Sequence, residues 1–347
     1  MKVGWYVHHH GAGHRTRAHV VGRELVARGA SVTLLGSDLD DAAAHRASLS
    51  TVRLAMDAPV PETSSHHDLD VAMHGSMHWA PLWHSGFRER MTTIARWVQV
   101  EEPDVVVVDV SCEVAVLVRL LGVPVVVVAQ PGERTDSAHT TAYAAATAVL
   151  APWPAWATGD LWRTTGGTGG DGIDDHRVVA VGGISRHGAD GPCRREERRG
   201  GRRRGLVLSG SGGFDNPALV DTVTGAVADV DWTVVGGSAW VPDVREQLAR
   251  SEVVVMHAGQ NAIADVAAWR LPSVVVPQRR PFAEQTHMGA VLAGAGIATV
   301  VGDDETAVCW PDRVESAIAQ GGAGWERWGS EGAVARAASL VEVVGGG

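Results

Sequence analysis

The stretch Val253-Val254-Val255-Met256-His257-Ala258-Gly259-Gln260-Asn261-Ala262-Ile263-Ala264-Asp265 decides how this chain is read. Four apolar residues in a row suit a strand buried on both faces, as in a parallel sheet covered on two sides. A small-residue turn follows the histidine, and a helix opens at Gly259-Gln260-Asn261. The first N–H groups of a helix have no partner within it and lie at its positive dipole end, so this start is a ready anion site. His257 stands beside it as a further donor, and Asp265 follows about one and a half turns later. The set suits a nucleotide diphosphate, with amides and imidazole for phosphate and a carboxylate for the ribose diol. An ordinary strand-to-helix turn with a chance histidine has the same local pattern, so the flanks must discriminate.

Upstream stands Trp240-Val241-Pro242-Asp243, followed by an amphipathic stretch to Arg250. Downstream come Arg270-Leu271-Pro272, a Val run to Pro277, and Pro281-Phe282-Ala283-Glu284-Gln285. Together, residues 240–290 resemble the donor-binding signature of nucleotide-sugar glycosyltransferases of the GT-B fold, in both the MurG-like branch (family 28) and the UDP-glycosyltransferase branch (family 1). The family pattern is Trp-x-Pro, His-x-Gly-x-Asn/Ser, an acid eight residues after the histidine, Leu/Val-Pro and an acid-Gln pair; each piece occurs here in order. The resemblance implies that His257, Gly259, Gln260 and Asn261 hold the diphosphate and that Asp265 holds the ribose. It also implies that the region of Trp240 faces the base and that Glu284 with Gln285 holds the sugar hydroxyls. Two departures stand out. Asp265 replaces the usual glutamate, one methylene longer, and Ala258 and Ala262 replace common Gly and Ser/Thr, which removes a possible hydroxyl contact to phosphate.

At 347 residues the chain is long for one core and comfortable for two. Strand-like runs at Val3–Val7, Ser31–Leu35, Val105–Val110, Val123–Ala129, Ala148–Ala151 and Val178–Val181 alternate with helical patterns at about 14–29, 85–101 and 111–121. A second series follows at Leu206–Ser209, Trp232–Val235, Val253–Met256, Ser273–Val276 and Ala298–Val301, with helices at about 217–229, 243–250, 259–269 and 283–294. Between them the texture becomes polar and rich in arginine and glycine. We therefore expect an α/β chain of two doubly wound, Rossmann-like domains facing a cleft, at 1–186 (acceptor side) and 205–320 (donor side), with a solvated linker at 187–204. A helical tail at 321–347 completes the layout; in the family it packs back on the first domain.

The net charge of −10 argues against a general nucleic-acid binder, which needs a basic surface. Cys112, Cys193 and Cys309 are odd in number and widely spaced, which fits a reducing cytosol and not a disulfide framework. No apolar run reaches the ~18 residues of a membrane span, and Met1–Val7 breaks into His8-His9-His10 too soon for a signal peptide. A cytoplasmic protein is expected.

The first strand leads into Gly11-Ala12-Gly13-His14-Arg15-Thr16-Arg17, a glycine turn and a helix start with an imidazole at its mouth. His14 reads either as a reacting group or as a helix-capping or phosphate-contacting histidine. Pro103-Asp104 and a Val run ending at Asp109 form a strand that terminates in a carboxylate, either a partner for an imidazole or an end-of-strand cap. In the two families Gly-His-x-x-Pro or Gly-His-x-x-Arg occupies the first position, and its histidine is the acceptor-side base in family 1. That likeness implies His14 as base and Asp109 as the group orienting it.

Ser209-Gly210-Ser211-Gly212-Gly213 offers bare amides, with Ser211 and Gly212 at its centre, that can close over a diphosphate; it lacks the Gly-Lys-Ser/Thr of an ATP-binding P-loop. His74 and His78, in a run that also holds His66, His67 and His84, can share a helix face as metal ligands. Gly75 weakens that helix, and a loop on the acceptor side is the better fit. Trp79, Trp83, Phe87 and Trp97 read as packing, with an apolar acceptor or membrane-contacting patch as the alternative.

The expected activity is inverting transfer of a sugar from a nucleotide diphosphate donor, UDP before TDP, to a hydroxyl acceptor, small or lipid-linked. No metal or other cofactor is required, because helix dipole and histidine meet the leaving-group charge. A nucleotide-sugar 2-epimerase of the same fold and a non-catalytic nucleotide-sugar binder are the alternatives. Peripheral membrane contact is kept open as a further partner, and no nucleic-acid partner is expected.

Overall fold

The computed structural model describes residues 1–9, 11–57, 70–164, 177–187, 196, 200–241, 243–302 and 308–346. Nine strands arise in the first half: β1 (Lys2–Val7), β2 (Ser31–Gly36), β3 (Ser50–Arg53), β4 (Val105–Asp109), β5 (Val125–Val128), β6 (Gly132–Arg134), β7 (Ala148–Ala151), β8 (Trp162–Thr164) and β9 (Val178–Ala180). Seven of them form one all-parallel sheet in the order β3-β2-β1-β4-β5-β7-β9, while β6 and β8 pair separately. The second half contributes β10 (Arg203–Gly210), β11 (Val230–Gly236), β12 (Val253–Met256), β13 (Ser273–Val275) and β14 (Thr299–Val300). These make a second parallel sheet, β11-β10-β12-β13-β14.

The Val runs explain the layering. Every residue of β4, β5 and β12 is buried, because helices cover both faces of each sheet. Helices at Ala12–Ala27, Ser85–Glu101, Cys112–Leu120 and Ser137–Ala145 flank the first sheet, and helices at Leu219–Ala226, Arg245–Arg250, Gln260–Trp269, Glu284–Gly294 and Trp310–Gln320 flank the second. β3 escapes a periodicity reading because it is an edge strand of polar composition, Ser-Thr-Val-Arg, with a single neighbour. β6 and β8 are three residues each, too short for a pattern.

The helix Ala333–Val344 crosses back to the first domain and buries Ala337, Ala338 and Val341 in the same core as Val21 and Leu25. Arg28 fastens it by donating to the Ser339 hydroxyl and to Glu342, each at 2.9 Å. Trp97, partly buried, packs against the core and over Gly4, where a Cβ would stand 2.6 Å from its ring; Trp83 is exposed. Among the described residues no helix is long and apolar enough to cross a membrane. Cys112 and Cys309 carry free thiols; Cys193, His66, His67, Pro242 and residues 188–195 and 197–199 of the expected 187–204 linker lie outside the described residues, and the last two linker positions, Arg203 and Arg204, already belong to β10.

Strand order fixes where a ligand can sit. In each sheet the first strand has its neighbours on opposite sides, β2 and β4 around β1, β11 and β12 around β10. Such reversals open a crevice at the carboxyl ends of the strands. The helix after β1 carries His14 in its first turn, and β4 ends at Asp109, which lies in register with Val7. The loop after β10 carries Ser211 and Gly212, and β12 ends just before His257, with Leu208 in register with Met256.

Candidate active site

The two crevices share one cleft of about 380 Å3. Its walls bring together His14, Ser211, Gly212, Trp240, His257, Gly259, Gln260, Asn261, Asp265, Glu284 and Gln285. Asp109 lies directly beneath, fully buried.

Two helix starts face each other across it. The helix Ala12–Ala27 begins at Gly11 and the helix Gln260–Trp269 at Gly259, and neither start is capped by a side chain. A Cβ on Gly13 would stand 2.7 Å from the Asn261 side-chain nitrogen, so glycine permits this approach. Uncapped N–H groups on both sides concentrate positive potential between the domains.

His257 is tuned to be a neutral donor. Its Nδ1 accepts the Gly259 N–H at 2.9 Å, which puts the proton of the neutral ring on Nε2. Burial first, and the Arg280 guanidinium second, pull its pKa down to about 4. Gly210 has φ +69 and lies against this nitrogen, so that a Cβ there would be 2.7 Å from Nε2.

On the opposite wall His14 Nδ1 donates to Asp109 Oδ1 at 2.8 Å. The Nε2 of the neutral ring is thereby left with a lone pair. Burial alone would raise the Asp109 carboxyl, but Arg17 and His14 outweigh it and hold it below the usual carboxylate range. Arg17 Nε lies 3.4 Å from Asp109 Oδ2, and Arg17 Nη2 donates across the domains to Gln260 Oε1 at 3.2 Å. Arg17 Nη1 and Gln260 Nε2 are buried without a hydrogen-bond partner among the described residues. Both side chains line the cleft and so have donors left for a bound anion or hydroxyl.

Three assignments drawn from the family pattern meet a different geometry. Asp265 lines the cleft, but its Oδ1 accepts from the Ser185 hydroxyl at 2.8 Å and its Oδ2 from Arg186 Nε at 3.1 Å. The short side chain is engaged by the segment leaving the first domain, so a ribose must compete for it. Gln285 is buried, and its Oε1 accepts from the backbone N–H of Ala258 and of Gln278, each at 3.0 Å; that oxygen braces the turn beside His257 and is not offered to a sugar. Glu284 is paired with Arg134 of the first domain.

The histidine pair His74 and His78 does not share a helix. Met73, His74 and Gly75 all take positive φ (48, 52 and 81), which breaks any helix there, and His74 points outward toward Asp70. His78 instead meets residues far away in sequence. Its Nε2 donates to Asp136 at 2.9 Å, and His139 Nδ1 donates to the same carboxylate at 2.5 Å. His78, Cys112 and His139 bring ligand atoms within 4.8 Å of one another. The Arg134 guanidinium stands 3.3 Å from His139 Nε2, and burial, with Glu113 and Asp136, keeps the Cys112 thiol well above its ordinary range. These groups read as a hydrogen-bonded wall. They border a second cavity of about 290 Å3 within the first domain, which Trp79 and Phe87 also line.

Residues 218–323 match the model of the glycosyltransferase family 28 C-terminal domain. Solved structures similar to the chain include the glycotransferase of kitacinnamycin, at 20% identity and TM-score 0.66 over 99% of this chain and 98% of that one. Others are MurG of Acinetobacter baumannii, at 14% and 0.65 over 99% of each chain, and the spinosyn rhamnosyltransferase SpnG complexed with thymidine diphosphate, at 17% and 0.67 over 98% and 100%. No curated protein sequence matches the chain. The chain has the GT-B glycosyltransferase fold. Sequence motifs of the GT-B donor domain lead to its half of the cleft, and Arg17 stands in the Gly-His-x-x-Arg pattern, whereas Gln130 and Arg134 carry no local signal and are found only in the folded structure.

Titration sets an expectation for stability. His139 is pulled down to about 4 by burial, against the raising effect of Asp136, and His257 is likewise at about 4. A histidine with a folded pKa below its unfolded value contributes stability above about pH 6.5 that is lost as pH falls toward the folded value. Chemical denaturation at pH 7.5 and at pH 5 should therefore show a drop of the order of a few kcal/mol, smaller in His139→Gln. A flat profile across that window would remove both histidines from the neutral, buried role.

Proposed function

We propose that the chain is an inverting glycosyltransferase that moves a sugar from a nucleoside diphosphate sugar to a hydroxyl acceptor, with His14 as general base. The observation that carries this reading is the His14–Asp109 pair standing in one cleft with the uncapped helix start at Gly259 and the neutral His257. The acceptor hydroxyl gives its proton to His14 Nε2 as its oxygen bonds to the anomeric carbon. The bond from that carbon to the diphosphate oxygen breaks, and the diphosphate leaves with the electron pair. Asp109 stabilises the imidazolium formed in that step.

The charge developing on the leaving group falls on the helix-start amides of Gln260 and Asn261, on His257 Nε2–H and on Arg17 Nη1, which has no hydrogen-bond partner among the described residues, so no divalent cation is needed. Trp240 and the loop at Ser211 and Gly212 border the nucleotide. Glu284 reaches a sugar hydroxyl by exchanging it for Arg134. UDP follows from the family resemblance, and thymidine diphosphate, held by the spinosyn enzyme, is the other candidate.

The test is nucleotide release from UDP-glucose and TDP-glucose, with and without a panel of phenols and alcohols, in buffer containing EDTA. Acceptor-dependent release that survives the chelator is expected. Loss of turnover restored by magnesium or manganese would overturn the metal-free mechanism. Sugar inversion without an acceptor would mark an epimerase, and tight binding with no chemistry a carrier.

A further inference from the structure

Resting on the glycosyltransferase reading, we propose that the cavity in the first domain takes an uncharged, ring-bearing acceptor and that the Gln130 carboxamide holds its reacting hydroxyl. Gln130 follows β5 at the carboxyl edge of the sheet, the edge that also carries His14 and Asp109. Among the described residues it alone lines both the donor cleft and the cavity of about 290 Å3, so the two ligands would meet beside it. The side chain is 8% exposed, and its Nε2 has no hydrogen-bond partner among the described residues. Buried amide donors are almost always satisfied, and an unsatisfied one at a ligand boundary marks a place for a ligand acceptor atom.

The walls define the acceptor's chemistry. Trp79, Phe87, Met91 and Tyr143 supply flat apolar surface suited to a ring system, and the volume lies near the lower end of small-molecule sites. Among the described residues no lysine or arginine lines the cavity, whereas two carboxylates do, Asp57 and Glu113. Asp57 is paired with Arg90 at 2.8 Å, and Glu113 accepts the backbone N–H groups of His78 and Trp79 at 2.9 Å. His8, His9, His78 and His139 are the only basic side chains among the described lining residues, and Arg90 is already engaged by Asp57, so a pyrophosphate-linked lipid would find no free guanidinium or ammonium there and this space favours a neutral acceptor. A hydroxyl whose oxygen accepts from Gln130 Nε2–H keeps its own proton free to point at His14, which is the orientation base catalysis needs.

The experiment compares wild type with Gln130→Leu and Gln130→Glu, using 2-naphthol as a neutral two-ring acceptor and UDP-glucose or TDP-glucose as donor. Both variants remove the N–H donor while keeping the shape. Binding of 2-naphthol, read by its fluorescence, and kcat/KM for it should fall about tenfold or more, the scale of one lost hydrogen bond. In Gln130→Leu, which adds no charge to the cleft, affinity for UDP and TDP should be unchanged, and its melting temperature without ligand should equal or exceed that of wild type, because an unsatisfied buried donor has been removed. A lower melting temperature together with weaker nucleotide binding would show a structural glutamine and overturn the proposal. Unchanged naphthol binding in both variants, or no binding to wild type, would overturn it as well. Tenfold weaker naphthol binding with no turnover in any form would uphold Gln130 while sinking the transferase reading.

Discussion

His14→Ala should lower kcat by about 10²–10⁴-fold, the usual share of general base catalysis, with nucleotide affinity little changed. The imidazole sits at the cleft with Nδ1 engaged by Asp109, so its removal takes away the proton acceptor and leaves the opposite wall untouched. The fold should survive, because Asp109 keeps Arg17 as a charged neighbour at 3.4 Å. Asp109→Asn should behave differently. It slows turnover by disturbing the same imidazole, and it also strips Arg17, itself almost fully buried, of its counter-charge. Breaking a buried pair costs about 3–5 kcal/mol, so this variant should melt well below His14→Ala. The two losses in rate should not multiply in the double mutant, since the residues act as one unit. Near-normal turnover by His14→Ala would exclude it as the base, and equal melting temperatures for the two single variants would remove Arg17 from the argument.

Gly210→Val should weaken UDP and TDP binding by about 10–100-fold. Its φ of +69 is costly for a β-branched residue, and its Cβ would press on His257 Nε2 from 2.7 Å, the side on which the phosphate is expected. His257→Ala should produce a loss of similar size by removing the Nε2–H donor, only partly offset by release of the Gly259 N–H that Nδ1 now holds. Gly225→Ala is the control. It lies in the helix Leu219–Ala226 with open space around a Cβ, so it should be neutral or stabilising by up to about 1 kcal/mol. Isothermal titration with each nucleotide separates the cases. Wild-type affinity in both Gly210→Val and His257→Ala would move the diphosphate away from this wall.

The element order, two parallel sheets and the donor-side turn at His257 were legible because their signals are local. Val105–Val108, Val125–Val128 and Val253–Val255 are apolar on every residue, which only a doubly covered strand tolerates, and glycine marks the turns that need it. The roles of individual polar groups were less legible. Asp265, Glu284 and Gln285 all stand at the cleft, yet their oxygens are taken by Ser185 and Arg186, by Arg134, and by two backbone amides. The residue types are consistent with sugar and ribose contacts, and it is the neighbours that determine whether an oxygen is free.

By itself, then, the sequence determined the α/β class, the two-fold division of strands, and the turn chemistry at Gly11–His14 and His257–Asn261, since periodicity and helix starts are set within a few residues. Tertiary structure alone decided that His14 meets Asp109, that Arg17 bridges to Gln260, that Glu284 is tied to Arg134, and that Gln130 stands between two cavities. Those partners are separated by 95, 243 and 150 positions for the three pairs. The physical reason is that such contacts depend on the strand order at β1 and β10 and on the docking of one sheet against the other, and neither leaves a pattern in nearby residues.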